Sequence, residues 1–154
     1  MFKKSAELLI KNKLTISIAE SLTGGLICNT ITDIPGSSDY FLGGIIAYSN
    51  SLKTKLLKIK KDYLKKYGAV SEVAARGMAK SVKDITGSDV ALAVTGIAGP
   101  SGGMAKKPVG LVYIAVCCKK KTQVCRYIFK GGRLSVKKQT LKKSVELLEK
   151  VLSD

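Results

Sequence analysis

The chain has 154 residues, 45% of them hydrophobic and 25% charged, a balance typical of a soluble globular protein whose length fits one domain, 1–154. No apolar run approaches the ~20 residues that cross a bilayer, and the first residues contain no secretory signal, so we expect a cytoplasmic protein with no membrane partner. The net charge is +16, but only three of the 27 basic residues are arginines; because the lysines are spread along the chain, we expect no dedicated nucleic-acid partner.

Hydrophobic periodicity predicts helices and strands that alternate through the first two thirds of the chain. We predict helices over 2–12, 24–32, 51–57, 62–67, 72–85 and 135–152, and strands over 14–19, 41–48, 90–95, 109–117 and 123–129. The apolar run 41–48 is typical of a buried strand, and 118–122 of a hairpin tip. Ser71 and Ser135 are expected to cap their helices. The pattern indicates an α/β layered domain whose sheet is mostly parallel, with a late antiparallel strand pair.

Composition also limits the chemistry. The chain contains no histidine, which excludes every Ser-His, Cys-His and His-metal mechanism. Its four cysteines form no CxxC pair (Cys28, Cys117, Cys118 and Cys125). We therefore expect reduced, buried thiols and predict no metal site.

The first unusual loop, Ala-Glu-Ser-Leu-Thr-Gly-Gly over 19–25, follows a predicted strand and enters a helix. Backbone N–H groups at such a helix start form an anion site or an oxyanion hole, and Gly24 and Gly25 allow a ligand to approach the backbone. Ser21 and Thr23 supply hydroxyl groups there. A plain capping turn accounts for the same residues, because serine and threonine are favoured caps.

The second loop, 47–53, also leaves a strand and enters a helix. Without histidine, a serine nucleophile needs another base, and a partly desolvated lysine meets that need if its pKa falls towards the working pH. Lys53 is the candidate base for Ser21, and Tyr48 the candidate to relay a proton or orient the pair. The alternative is a solvated basic helix face, since Lys55 and Lys58 are neighbours of Lys53.

The third loop, 95–103, is rich in glycine and presents backbone N–H groups to a phosphate or a polar ring. It lacks the arrangement of a P-loop. The alternative is a flexible surface loop, since clusters of glycine often mark loops. Further on, Arg133 follows two glycines and is placed to clamp a phosphate or carboxylate. The alternative is an exposed arginine in a turn that leads into a helix.

Six motifs occur in one order along the chain: Glu-Ser-x-Thr-Gly-Gly (20–25), Pro-Gly-Ser-Ser (35–38), Tyr-Ser-Asn-x-x-Lys (48–53), Gly-Ala-Val-Ser (68–71), Thr-Gly-Ile-Ala-Gly-Pro (95–100) and Lys-Pro-Val-Gly (107–110). The series resembles the CinA carboxy-terminal domain family, whose characterised members are nicotinamide-nucleotide amidases. Each motif is weak alone, but six in this order are highly specific, and they cover almost the whole chain.

The resemblance implies a three-layer α/β/α sandwich, no cofactor, and a homo-oligomer. It implies hydrolysis of the carboxamide of nicotinamide mononucleotide to nicotinate mononucleotide and ammonia. Ser21 is implied as the nucleophile, Lys53 as its base and Tyr48 near the reacting centre. The expected substrate-binding residues are Thr23, Gly24, Gly25, Asn50, Thr95, Gly96, Gly99 and Arg133.

The sequence departs from the family pattern at two places. Met-Ala-Lys-Lys at 104–107 stands where the family commonly has a serine and acidic residues, and Gly132 stands where an acidic residue often precedes the arginine. Both changes remove negative charge near the expected pocket and bear on the choice of substrate. Some members also carry an additional amino-terminal domain; this sequence begins directly with the amidase-like part, so we expect it to lack the function of that domain.

Two other functions stay open. The charge of +16 is compatible with a non-catalytic module that binds nucleotides or nucleic acid and is linked to competence or DNA damage, which predicts DNA binding with a steep salt dependence. The departure at 104–107 is compatible with an amidase that acts on another small amide.

Overall fold

The computed structural model describes residues 1–119 and 121–154, in which each predicted helix and strand has a counterpart. The strands are β1 (Ile16–Glu20), β2 (Phe41–Ile46), β3 (Val90–Gly96), β4 (Leu111–Cys118) and β5 (Lys121–Ile128), and the helices are α1 (Lys3–Lys11), α2 (Leu26–Thr32), α3 (Asn50–Lys55), α4 (Lys61–Tyr67), α5 (Glu72–Thr86) and α6 (Arg133–Ser153). A short 3₁₀ turn, Ser37–Asp39, lies before β2.

The five strands form one mixed sheet in the order β2-β1-β3-β4-β5. β1 pairs in parallel with both β2 and β3, whereas β4 runs antiparallel to both β3 and β5. Four strands therefore point the same way and only β4 is reversed. With helices on both faces, this confirms the three-layer α/β/α class with a mostly parallel sheet and a late antiparallel pair.

The two faces of the sheet carry side chains of different size, because successive residues of a strand point to opposite faces. On one face, Ile16, Ile18 and Leu92 pack into a large core with residues of α1, α2 and α6. On the other, Ala91 and Ala93 pack against α5 in a second core. Small side chains on this face allow α5 to lie close to the sheet.

One strand prediction is wrong in position. The apolar run 41–48 is not a buried strand: β2 lies at the edge of the sheet and ends at Ile46, with Leu42 49% and Ile46 47% exposed. Hydropathy alone does not reveal this, since a run of apolar residues is compatible with an edge strand as well as a central one.

Helix ends follow the expected capping chemistry at one place and not at another. Ser71 caps α5, its Oγ accepting the N–H of Ala74 at 3.1 Å. Ser135 does not cap α6: the helix begins at Arg133, and its N-cap is the extended Gly132. The hydroxyl of Ser135 instead accepts a hydrogen bond from the side chain of Gln139 at 3.0 Å. Arg133 therefore lies in the first turn of α6 and not in the loop before it.

The expectation of buried thiols is met only in part. All four cysteines are free thiols, yet only Cys117 is fully buried. The predicted tip 118–122 includes residue 120, which lies outside the described residues. Within the described parts of the chain, no helix is long and apolar enough to span a membrane.

Candidate active site

The expected loops meet at the carboxyl ends of β1, β2 and β3, because these three strands run parallel and end on the same side of the sheet. Ser21 directly follows β1, and its N–H donates to the carbonyl of Val94 on β3 at 3.1 Å. On the other side, the N–H of Ala47 donates to the carbonyl of Glu20 at 2.9 Å. The backbone on both sides of the serine is thus an extension of the sheet, which holds Ser21 in a fixed place.

Lys53 reaches this serine from α3. The helix begins with Ser49 as its N-cap, whose Oγ accepts the N–H of Leu52 at 3.1 Å. The Lys53 side chain points inwards and is only 2% exposed. Its Nζ donates to Ser21 Oγ at 2.9 Å, to the carbonyl of Ala47 at 2.9 Å and to the carbonyl of Tyr48 at 3.1 Å. The alternative of a solvated basic face therefore does not hold for Lys53.

The surroundings of Lys53 make its neutral form easier to reach than that of an exposed lysine. Burial lowers the pKa of its amine from 10.5 to about 8, and no carboxylate of the described residues forms an ion pair with it. A neutral amine has two N–H groups and one lone pair. If the carbonyls of Ala47 and Tyr48 accept the two N–H groups, the lone pair is left for the hydroxyl proton of Ser21. The arrangement can therefore activate a serine without histidine.

The turn between β1 and α2 is held by internal hydrogen bonds. Gly24 and Gly25 adopt φ values of 63° and 100°, a region that disfavours side chains. The N–H of Gly24 donates to the carbonyl of Ser21 at 3.2 Å, and that of Gly25 to the Glu20 carboxylate at 2.9 Å. Both amides are thus engaged within the protein. Among the described residues, the amides of Leu22 and Thr23 have no hydrogen-bond acceptor, and the buried hydroxyl of Thr23 has no hydrogen-bond partner.

Three of the expected residues meet in one small network. Nη2 of Arg133 donates to the Tyr48 hydroxyl at 2.7 Å, and Nη1 donates to the carbonyl of Gly99 at 3.0 Å. Arg133 therefore joins the loop after β2 to the loop after β3. The hydroxyl of Tyr48 therefore contacts Arg133, whereas Lys53 is contacted by the backbone carbonyl of Tyr48.

The other expected residues occupy less direct positions. Thr95 is buried and donates its hydroxyl to the carbonyl of Ala69 at 2.7 Å, which joins β3 to the segment before α5. Gly96 lies against β4, where a Cβ atom would come within 2.7 Å of the Leu111 carbonyl oxygen. Asn50 is at the start of α3 and lines an open cleft between α3 and α4. Thr95 and Gly96 therefore have structural roles in joining β3 to its neighbours.

The sequence reasoning missed the side chain of Glu20 and the role of Lys107. The Glu20 carboxylate is fully buried and accepts three backbone N–H groups of the α2 start. Lys107 donates to the carbonyl of Tyr67 at 2.6 Å, at the end of α4. A signal for Glu20 did exist, since an acidic residue that ends a buried strand and precedes a Gly-Gly pair needs a buried partner.

Comparison with known proteins identifies the family of the chain. A family model described as the CinA C-terminal domain matches residues 1–152. The chain belongs to this family. It is 49% identical to a CinA-like protein of Endomicrobium trichonymphae over 96% of the chain but 35% of that relative, and 49% identical to a CinA-like protein of Geotalea uraniireducens over 96% of the chain and 35% of the relative. The chain thus spans about a third of the length of these curated relatives.

Solved structures of similar proteins agree with the fold. The competence damage-inducible protein A from Klebsiella pneumoniae superposes with a TM-score of 0.96 at 27% identity, covering 99% of this chain and 94% of the other. The competence/damage inducible protein from Agrobacterium tumefaciens superposes with a TM-score of 0.89 at 34% identity, over 99% and 94% of the two chains. The resemblance found in the six motifs is confirmed at the level of the CinA family.

Proposed function

We propose that the chain is an amidohydrolase that converts nicotinamide mononucleotide to nicotinate mononucleotide and ammonia, with Ser21 as nucleophile and Lys53 as base. The observation that carries the proposal is the contact of 2.9 Å between Lys53 Nζ and Ser21 Oγ, made by a lysine whose burial lowers its pKa to about 8. The choice of substrate follows from the six motifs shared with nicotinamide-nucleotide amidases.

The reaction divides into acylation and deacylation. Ser21 Oγ attacks the carboxamide carbon while its proton passes to neutral Lys53. The protonated Lys53 then gives this proton to the departing nitrogen, the C–N bond breaks, and ammonia leaves an ester on Ser21. A water molecule that loses a proton to Lys53 attacks the ester, and the proton returns to Ser21 Oγ as the carboxylate product leaves. Lys53 acts as base and acid in turn.

The oxyanion of each tetrahedral intermediate needs N–H donors close to Ser21. The amides of Leu22 and Thr23 are the best candidates, because Gly24 and Gly25 use theirs within the turn. In other hydrolases whose nucleophile lies between a strand and a helix, the amide of the following residue serves this purpose. We assign the same role to Leu22, with Thr23 beside it.

The decisive experiment measures nicotinate mononucleotide and ammonia released from nicotinamide mononucleotide by the purified protein and by Ser21→Ala. We expect release by the parent and a loss of about 10³-fold or more in the variant, with the melting temperature nearly unchanged because only one oxygen is removed. Full activity of folded Ser21→Ala would exclude Ser21 as nucleophile. Absence of release by folded parent protein would exclude this substrate, and a panel of other amides and a salt-titrated DNA-binding assay would then separate the remaining functions.

Arg133 provides a test of substrate binding apart from the chemistry. Its guanidinium contacts the Tyr48 hydroxyl and the Gly99 carbonyl with two different nitrogens, a geometry that a lysine cannot reproduce. We expect Arg133→Lys to raise KM for the nucleotide about tenfold, with kcat changed by less. Arg126→Lys, at an exposed position of β5, is the matched control and should alter neither constant. An unchanged KM in Arg133→Lys would remove Arg133 from the binding site.

A further inference from the structure

The side chain of Glu20 is a fully buried acid that the proposed reaction does not use. Its backbone belongs to β1, paired with Ile46 on one side and Val94 on the other. Oε2 accepts the N–H groups of Gly25 at 2.9 Å and Ile27 at 3.2 Å, and Oε1 accepts that of Cys28 at 2.8 Å. The ion pairs formed by the described residues involve other acids. The carboxylate is therefore compensated by these amides and by the Cys28 thiol beside it, whose pKa is raised by burial and by Glu20.

Helix capping by itself is a poor explanation for this arrangement. Helices are usually capped by a serine, threonine, asparagine or aspartate at the N-cap itself, with no buried charge. Here the N-cap is Gly25, which has no side chain to contribute, and the cap comes from a residue five positions earlier. Burying a carboxylate without a cation carries a large desolvation penalty, which hydrogen bonds must offset. The contact between Glu20 and these amides also joins the two ends of the 21–25 turn, which contains the nucleophile.

This turn is fixed at each end. The N–H of Ser21 is bound to the carbonyl of Val94, and the carbonyl of Ser21 accepts the N–H of Gly24. The next amide, that of Gly25, donates to the Glu20 carboxylate. Leu22 and Thr23 lie between these contacts, and their amides donate to no acceptor among the described residues.

We propose that Glu20 is a positioning residue that sets the 21–25 turn, so that Ser21 Oγ meets Lys53 Nζ and the amides of Leu22 and Thr23 face the reacting carbonyl. Glu20 touches neither substrate nor the reacting atoms. The inference rests on the proposed role of Ser21 and Lys53 but not on the identity of the substrate.

The first test measures modification of Ser21 by phenylmethanesulfonyl fluoride, followed by intact mass. In this step the Ser21 oxygen forms a bond to sulfur, the S–F bond breaks, fluoride leaves, and Lys53 takes the hydroxyl proton. The rate is recorded from about pH 6 to about pH 10 for the parent, Glu20→Gln and Glu20→Asp. Because no nucleotide is involved, this readout stays valid if the proposed substrate is wrong.

We expect both Glu20 variants to react about ten- to a hundredfold more slowly in the folded state, since a misplacement near 1 Å has effects of this size. Glu20→Asp keeps the charge but is one methylene too short to reach all three amides, so it should fail as Glu20→Gln does. The midpoint of the pH profile should stay that of the parent, because the burial of Lys53 is unchanged. Asp89→Asn is the matched control: this carboxylate accepts the backbone N–H of Thr15 at 2.8 Å, at the opposite end of β1. It should lower stability and leave the rate unchanged.

Two results would overturn the proposal. A parent-like rate in folded Glu20→Gln would make Glu20 a purely structural cap. A midpoint that moves to lower pH in Glu20→Gln but not in Glu20→Asp would mean that Glu20 acts through its charge on Lys53 and not through the turn.

Amide hydrogen exchange gives a second readout that needs no reagent. In the parent, the amides of Gly25, Ile27 and Cys28 donate to Glu20 and should be protected from exchange. In Glu20→Gln we expect these amides and that of Gly24, which Glu20 does not touch, to exchange at least about tenfold faster. Unchanged protection of Gly24 in this variant would show that the turn forms without Glu20. If the reagent does not reach Ser21 in the parent protein, exchange at Gly24 decides the role of Glu20 on its own.

Discussion

Replacing Lys53 with methionine is expected to reduce turnover by about 10³-fold or more while the protein stays folded. Methionine fills a similar volume but has no proton acceptor, so Ser21 loses its base. Lys53→Arg is the second variant: it keeps the positive charge but a guanidinium stays protonated in proteins, so it should be as inactive. Appreciable turnover of either variant, measured as ammonia release, would remove Lys53 from the mechanism.

The pH dependence of turnover should report the same amine. The pKa of Lys53 is lowered to about 8 by burial, and only the neutral amine can accept the proton of Ser21. In the parent protein, kcat should therefore rise as the pH increases through about 8 and then level off. Activity that falls with increasing pH over this range would contradict a neutral-lysine base.

Stability gives an independent check of this pKa. The unfolded value is 10.5 and the folded value about 8, so between these values the unfolded chain binds the extra proton. As the pH rises across this window, Lys53 therefore increases the free energy of unfolding, by up to ~3 kcal/mol. Lys53→Met lacks this gain. Urea unfolding at about pH 7 and about pH 10 should show the parent improving relative to the variant, and parallel behaviour would mean that the amine is not perturbed.

The meeting of Ser21 with Lys53 could be predicted because it depends on topology. Both residues follow predicted strands, parallel strands end at the same edge of a sheet, and the absence of histidine left lysine as the base. The position of β2 could not be predicted in the same way. The order of strands in a sheet depends on pairing between segments far apart in the chain, and the apolar run 41–48 is compatible with an edge strand as well as a central one.

The finer chemistry of the site depends on groups that carry little sequence signal. The carbonyls that hold Lys53 Nζ belong to Ala47 and Tyr48, and any residue type supplies a carbonyl. At Glu20 the sequence indicates a buried acid but not its partners, because a cap is expected at the N-cap itself and Glu20 lies five residues before it. A glycine such as Gly96 indicates a close approach to the backbone, but the sequence does not say whether a ligand or another strand approaches.

For Gly96 the structure gives an answer that stability can test. Gly96 pairs with Val112 across the antiparallel β3–β4 ladder. A Cβ at this position would lie 2.7 Å from the carbonyl oxygen of Leu111 and 3.0 Å from the Cα of Val112, both backbone atoms that move only if the strands separate. We expect Gly96→Ala to lower the free energy of unfolding by ~3 kcal/mol, at the upper end for an overpacked site, whether or not substrate is present.

Gly77 is the matched control, since it lies inside α5 and a Cβ there would be 3.7 Å from the nearest atoms, in the side chain of Ile59. Alanine is favoured over glycine in a helix interior by ~1 kcal/mol, so Gly77→Ala should stabilise the protein. Urea unfolding of the two variants and the parent should therefore show changes of opposite sign in the free energy of unfolding, although both substitutions replace glycine with alanine. If Gly96→Ala instead kept parental stability and only weakened nucleotide binding, Gly96 would serve the ligand, and the approach of β4 would not be the reason for a glycine at the end of β3.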